Sequence, residues 1–122
     1  MKKHKILIVE DELIIAKNIS LILQQEGYEA RMGITSVQQA IEQINLEKFD
    51  FLKIDIEGED YKVLKNINLK KYKPTLICIE DGIEKKENIK KISKYLKSIK
   101  YKLVFRSPIN LFYQKLDKKN KA

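Results

Sequence analysis

Lys5-Ile6-Leu7-Ile8-Val9-Glu10-Asp11-Glu12 sets a continuously apolar run directly against three acids. A short run of this kind suits a central parallel strand buried on both faces. A helical period follows at once. Ile15, Ile19, Ile22 and Leu23 make one apolar stripe, and Gly27 supplies a left-handed stop. The same alternation then repeats along the chain. Residues 28–32 read as a second strand, and Ser36 with Gln39 has the spacing of a capping box. Val37, Ala40, Ile41 and Ile44 would form the buried face of the helix behind it. Residues 49–56 read as a third strand, and residues 59–66 as a short helix with Val63 and Leu64 turned inward. After Pro74, residues 75–80 form a fourth strand, followed by a turn at Asp81-Gly82. Ile89, Ile92, Leu96 and Ile99 mark an amphipathic helix with a lysine-rich outer face.

The end of the chain breaks the alternation. Residues 101–106 and 111–116 are strand-like and flank Ser107-Pro108-Ile109-Asn110, which is a hairpin signal. Residues 117–122 read as a frayed tail. Right-handed crossovers then give one α/β domain spanning residues 1–122, a three-layer αβα sandwich of flavodoxin-like or Rossmann-like type. The expected sheet is mostly parallel in the order 2-1-3-4, with the antiparallel hairpin at one edge.

Composition narrows the function classes. Cys78 is the only cysteine and lies in an apolar run, so a buried, reduced thiol is expected. His4 is the only histidine and sits in a basic lead, so a Cys–His catalytic pair is not expected. No apolar stretch approaches the ~20 residues of a bilayer span, and no signal-peptide core is present, which points to the cytoplasm and away from a membrane partner. The net charge of +8 is uneven: residues 1–50 carry 6 basic and 8 acidic side chains, residues 51–122 carry 19 and 9. Only Arg31 and Arg106 are arginines. Specific phosphate and base recognition favours arginine forks, so the lysines read as a solvated surface and nucleic acid is not an expected partner.

The strand ends carry the chemistry. In an open α/β sheet, ligands bind beyond the carboxyl ends of the strands where the strand order reverses, here between the first and third strands. Glu10 and Asp11 end the first strand, Asp55 the third and Glu80 the fourth. Crowded carboxylates take up protons or a cation, and hard oxygen donors with room for water and phosphate suit Mg2+. Read separately, each acid could instead cap the helix that follows it.

Residues 3–56 resemble response-regulator receiver domains: the run from Lys5 to Glu12, the segment Leu23-Gln24-Gln25-Glu26-Gly27-Tyr28-Glu29, and the stretch from Ala40-Ile41 to Phe49-Asp50. The resemblance implies that Glu10, Asp11 and Asp55 bind Mg2+. It also implies that Asp55 accepts a phosphoryl group from a histidine kinase or a small phosphoryl donor. Receivers place Ser or Thr where Glu80 stands, and Lys before a proline where this chain has Arg106-Ser107-Pro108. They also end in a helix that is missing here. Arg106, Lys53, Glu57 and Glu80 are accessory candidates, and Lys53 lies on the same strand face as Asp55.

Residues 49–116 resemble a second family, the FkbM-type methyltransferases. The likeness rests on Phe51-Leu52-Lys53-Ile54-Asp55-Ile56-Glu57-Gly58, then Val63-Leu64-Lys65, the stretch from Pro74 to Glu80, and Tyr95-Leu96-Lys97-Ser98-Ile99-Lys100-Tyr101. It continues through Phe105-Arg106-Ser107-Pro108-Ile109-Asn110-Leu111. It implies S-adenosylmethionine chemistry, yet the glycine-rich turn that such a cofactor needs after the first strand is replaced by Glu10-Asp11-Glu12. Cofactor binding is therefore not expected. The two likenesses meet near Phe49-Asp50, where the net charge also changes sign, which is the pattern of a recombinant chain. The expected function is an atypical receiver-like phospho-acceptor and Mg2+-binding signalling module. The alternatives are a receiver–methyltransferase chimera without selected activity and a residual methyltransferase.

Overall fold

The computed structural model describes residues 4–10, 12–34, 42, 49–56, 60–66, 69, 73–80 and 86–116, with backbone only for 32–34, 86 and 87. The expected capping box at Ser36, the turn at Asp81-Gly82 and the frayed tail lie outside these residues, as do Asp11 and Glu57. The elements are β1 (Lys5–Glu10), α1 (Leu13–Gln25), β2 (Glu29–Ile34), β3 (Phe51–Asp55), α2 (Asp60–Asn66), β4 (Leu76–Glu80), α3 (Lys86–Ser98), β5 (Tyr101–Arg106) and β6 (Asn110–Lys115).

They form one six-stranded sheet in the order β2-β1-β3-β4-β6-β5. β2, β1, β3 and β4 are parallel neighbours, and β6 runs antiparallel to both β4 and β5. The hairpin thus adds to the edge with its second strand inward. Its turn is held by Ser107, whose backbone N–H donates to the Asn110 carbonyl at 2.9 Å and whose hydroxyl accepts the Asn110 N–H at 2.9 Å. α1 ends where expected: Gly27 adopts φ +93°, a conformation that costs an L side chain strain. The Tyr28 N–H then closes on the Leu23 carbonyl at 3.0 Å.

The sheet separates two apolar layers. One joins Leu7, Val9, Leu52, Ile54, Ile77, Ile79, Leu111 and Tyr113 to Val63 and Leu64 of α2 and Ile92 and Leu96 of α3. The other joins Ile6, Ile8, Ala30 and Phe51 to Ala16, Ile19 and Leu23 of α1. Helices on both faces make the three layers. Burying a side chain such as Leu96 stabilises the fold by about 1.5–3 kcal/mol. Tyr101, also buried, donates its hydroxyl to the Pro74 carbonyl at 2.6 Å and so ties the start of β5 to the segment leading into β4.

The inward face of α1 differs from the expected stripe. Ile15 and Ile22 are 42% and 59% exposed, and the helix turns Ala16 and Ser20 to the sheet, flanked by Ile19 and Leu23. Positions 16, 19, 20 and 23 are themselves a helical face, and its small residues let the helix lie close to the strands. Weighting the largest apolar residues selected the neighbouring face. A second cause is local: the other described helices that pack on the sheet lie on its opposite side, so nothing described beside α1 covers Ile15 or Ile22.

Candidate functional site

Period-two alternation along each strand decides which side chains share the carboxyl edge. Ile6 and Ile8 face α1, so Glu10 does too. Leu52 and Ile54 belong to the opposite layer, which turns Lys53 and Asp55 to the α1 side. Ile77 and Ile79 do the same for Cys78 and Glu80. Glu10, Asp55 and Glu80 therefore stand on one face at the ends of three neighbouring strands. Glu10 and Asp55 are direct register partners, and Asp55 and Glu80 each lie one residue past the registered pair Ile54–Ile79.

Their environments differ. Glu10 is 2% exposed, and its Oε1 accepts the Glu12 N–H at 3.1 Å across the turn. Asp55 and Glu80 are half-buried. One pleat below, Lys53 is the register partner of both Ile8 and Cys78. Burial pushes the Cys78 thiol up from its ordinary value, the Lys53 ammonium opposes that shift, and Asp55 and Glu80 add to it. The thiol is free and buried, as expected from sequence. Among the described residues no three acid, His or Cys side chains form a set able to hold a metal ion. Asp11, the third carboxylate of the expected set, lies outside them.

Arg106 does not join this edge. It ends β5 and is exposed, and β6 lies between β5 and β4. Three strand spacings, about 14 Å, separate its strand from that of Asp55. The inserted antiparallel β6 displaces the fifth strand, which carries the accessory candidate Arg106, outward. Lys53 is the described base on the acids' own face. The helix start beyond β3 has its own structural carboxylate, since buried Asp60 Oδ1 accepts the Ile56 N–H at 2.9 Å. An open depression of about 520 Å3, lined by Gln24, Tyr28, Glu29, Ala30 and Arg31, lies at the opposite end of the strands.

Two Tyr–Lys pairs away from the strand ends carry a signal in the sequence. Tyr61 and Lys65 on α2, and Lys91 and Tyr95 on α3, are each spaced i,i+4.

In the turn after β1 the buried Glu10 carboxylate takes the turn's own amide, at the position where a turn that binds S-adenosylmethionine brings its backbone close to the cofactor.

A search of curated proteins found no match to the chain. Among solved structures, the chemotaxis protein CheY4 of Vibrio cholerae superposes with a TM-score of 0.59 at 22% identity, covering 80% of this chain and 99% of that one. That likeness concerns the fold. The Methyltransferase FkbM domain model matches residues 13–103. The match reaches back through α1, well before Phe49-Asp50, and stops inside the final hairpin. The chain thus shares that chemotaxis protein's fold, and, by a match over more than half its length, it belongs to the methyltransferase FkbM domain family.

Proposed function

We propose that the carboxyl edge of the sheet is a receiver-like phospho-acceptor site. Its support is the placement of Asp55 beside buried Glu10, as register partners on neighbouring parallel strands. Asp55 is the more accessible of the two and is the acceptor. One of its carboxylate oxygens bonds to phosphorus while the bond from phosphorus to the donor's leaving atom breaks (oxygen in an acyl phosphate, imidazole nitrogen in a phosphohistidine), and the leaving group departs with the electron pair. Glu10 and Asp11, together with Asp55, would hold Mg2+, which when bound neutralises charge on the phosphoryl oxygens. Lys53, on the same face, supplies positive charge beneath the acceptor. A small acyl phosphate or a histidine kinase is the donor class.

Intact mass after incubation with Mg2+ and acetyl phosphate tests this reading, run beside Asp55→Asn. One phosphoryl adduct on the parent, absent from the variant, is the expected outcome. No adduct on a folded parent overturns it and leaves a scaffold without selected activity as the better description.

Family membership supports a second reading, residual adenosylmethionine-dependent methyl transfer. Equilibrium dialysis with labelled adenosylmethionine separates the two: saturable retention would favour the second, and its absence would leave it without support.

A further inference from the structure

Between Glu87 and Asp117 the chain has no acidic residue, while Lys90, Lys91, Lys94, Lys97, Lys100, Lys102, Arg106 and Lys115 are all basic. The structure gathers part of this charge into one face. Lys90, Lys91, Lys94 and Lys97 are exposed on α3, and Lys62 and Lys65 are exposed on α2. α2 and α3 pack together, and Tyr61 meets Tyr95 edge-on with ring centroids 6.4 Å apart. The Lys65 and Lys91 ammonium groups, one from each helix, lie 5.8 and 5.9 Å from the same Tyr61 ring centroid. The ring's negative face attracts both cations and holds two like charges together at the helix junction. Asp60, the described acid of α2, is turned inward, with Oδ1 accepting the Ile56 N–H.

We infer that the α2–α3 face binds the phosphate backbone of a nucleic-acid strand, without sequence preference. Lysines are compact point charges that neutralise phosphates without reading bases, so the scarcity of arginine removes base recognition and not backbone binding. Along α3, Lys90, Lys94 and Lys97 form a stripe about 10 Å long, which a flexible strand can follow while reaching the Tyr61 junction. Membrane adsorption fits less well: the apolar face of α3, Ile92 and Leu96, is buried in the core and has nothing to insert. This face lies on the opposite side of the sheet from Glu10 and Asp55 and does not depend on phosphotransfer there.

The test is fluorescence anisotropy of a labelled mixed-sequence single-stranded oligonucleotide titrated with the full chain from 50 to 200 mM salt. Two variants of equal net charge decide it. Lys65→Gln/Lys91→Gln removes the pair at the junction, and Lys17→Gln/Lys115→Gln removes two lysines elsewhere. The expected results are saturable binding with a log–log salt slope of about −3 to −4, a loss of at least tenfold for the first variant, and less than threefold for the second. Equal losses would assign the binding to net charge alone and overturn the proposal. So would absent binding, or tighter binding to a poly-glutamate peptide or to anionic phosphatidylserine vesicles than to the oligonucleotide.

Discussion

The two faces of the sheet are built to different standards. Under α2 and α3 lies a continuous layer that includes Leu52, Ile54, Ile77, Leu96 and Leu111. Under α1 the buried apolar members are Ile6, Ile8, Ala16 and Ala30, and the helix leaves Leu13, Ile14, Leu21 and Ile22 largely exposed. The same sheet serves both layers, so the difference comes from what covers it. Two helices that follow β3 and β4 close one side. On the other, α1 covers the β1–β2 end, while β5 and β6 form a hairpin that extends the sheet sideways. Among the described residues the buried apolar side chains are therefore concentrated on one face, and the carboxylates with their lysine stand on the other.

The largest test of that contrast is Leu96→Ala, which opens a cavity in the thick layer. It should cost about 3–4 kcal/mol in urea unfolding. A cost below ~1 kcal/mol would break the comparison. Ala16→Leu probes the thin layer from the opposite direction. Because Ala16 is fully buried where α1 lies close to the strands, overpacking should cost about 1–3 kcal/mol. A neutral result would mean that α1 can lift away freely. Tyr101→Phe removes the buried hydroxyl bond to Pro74 and should cost about 1–2 kcal/mol, sharpening the role of β5 in closing the thick side.

Alkali distinguishes the faces again. Burial raises the folded pKa of Tyr101 on the thick side and of Cys78 on the thin side. Each keeps its proton longer when folded than when unfolded. The unfolded chain thus binds fewer protons above its own pKa, and stability falls as pH rises through that value. Urea midpoints should begin to drop as an unfolded thiol ionises, near pH 8.5, and fall further above pH ~10 as an unfolded phenol does. Cys78→Ala should flatten the first segment and Tyr101→Phe the second. The smallest effect belongs to the exposed flank of α1: Ile14→Ser should change stability by no more than about 0.5 kcal/mol. A loss above 2 kcal/mol would show that this flank is covered in solution.

Much of this architecture is legible in the sequence. Glycine at 27 ended α1, the apolar runs gave β1 and β4, and the Ser107-Pro108 break gave the hairpin. Strand ends fell within about two residues of their expected places. What failed was side-chain choice within a correctly placed helix. Ile15 and Ala16 are both apolar, and periodicity cannot say which of two adjacent faces meets the sheet. The lysine–tyrosine junction was equally hidden, because Tyr61 and Lys91 lie thirty residues apart and meet only when α2 packs on α3.

The site divides along the same line. Sequence alone determined that acids end the first, third and fourth strands, since hydrophobic runs and their punctuation are local properties of the chain. It also showed that no glycine-rich turn follows β1. Tertiary structure decided that Glu10 and Asp55 are partners and that Glu80 shares their face. It also decided where the strand of Arg106 lies: β6, running antiparallel, enters the sheet between β4 and β5 and sets β5 about 14 Å from β3. Strand order is a non-local outcome of pairing, and the spacing of residues along a chain does not encode it.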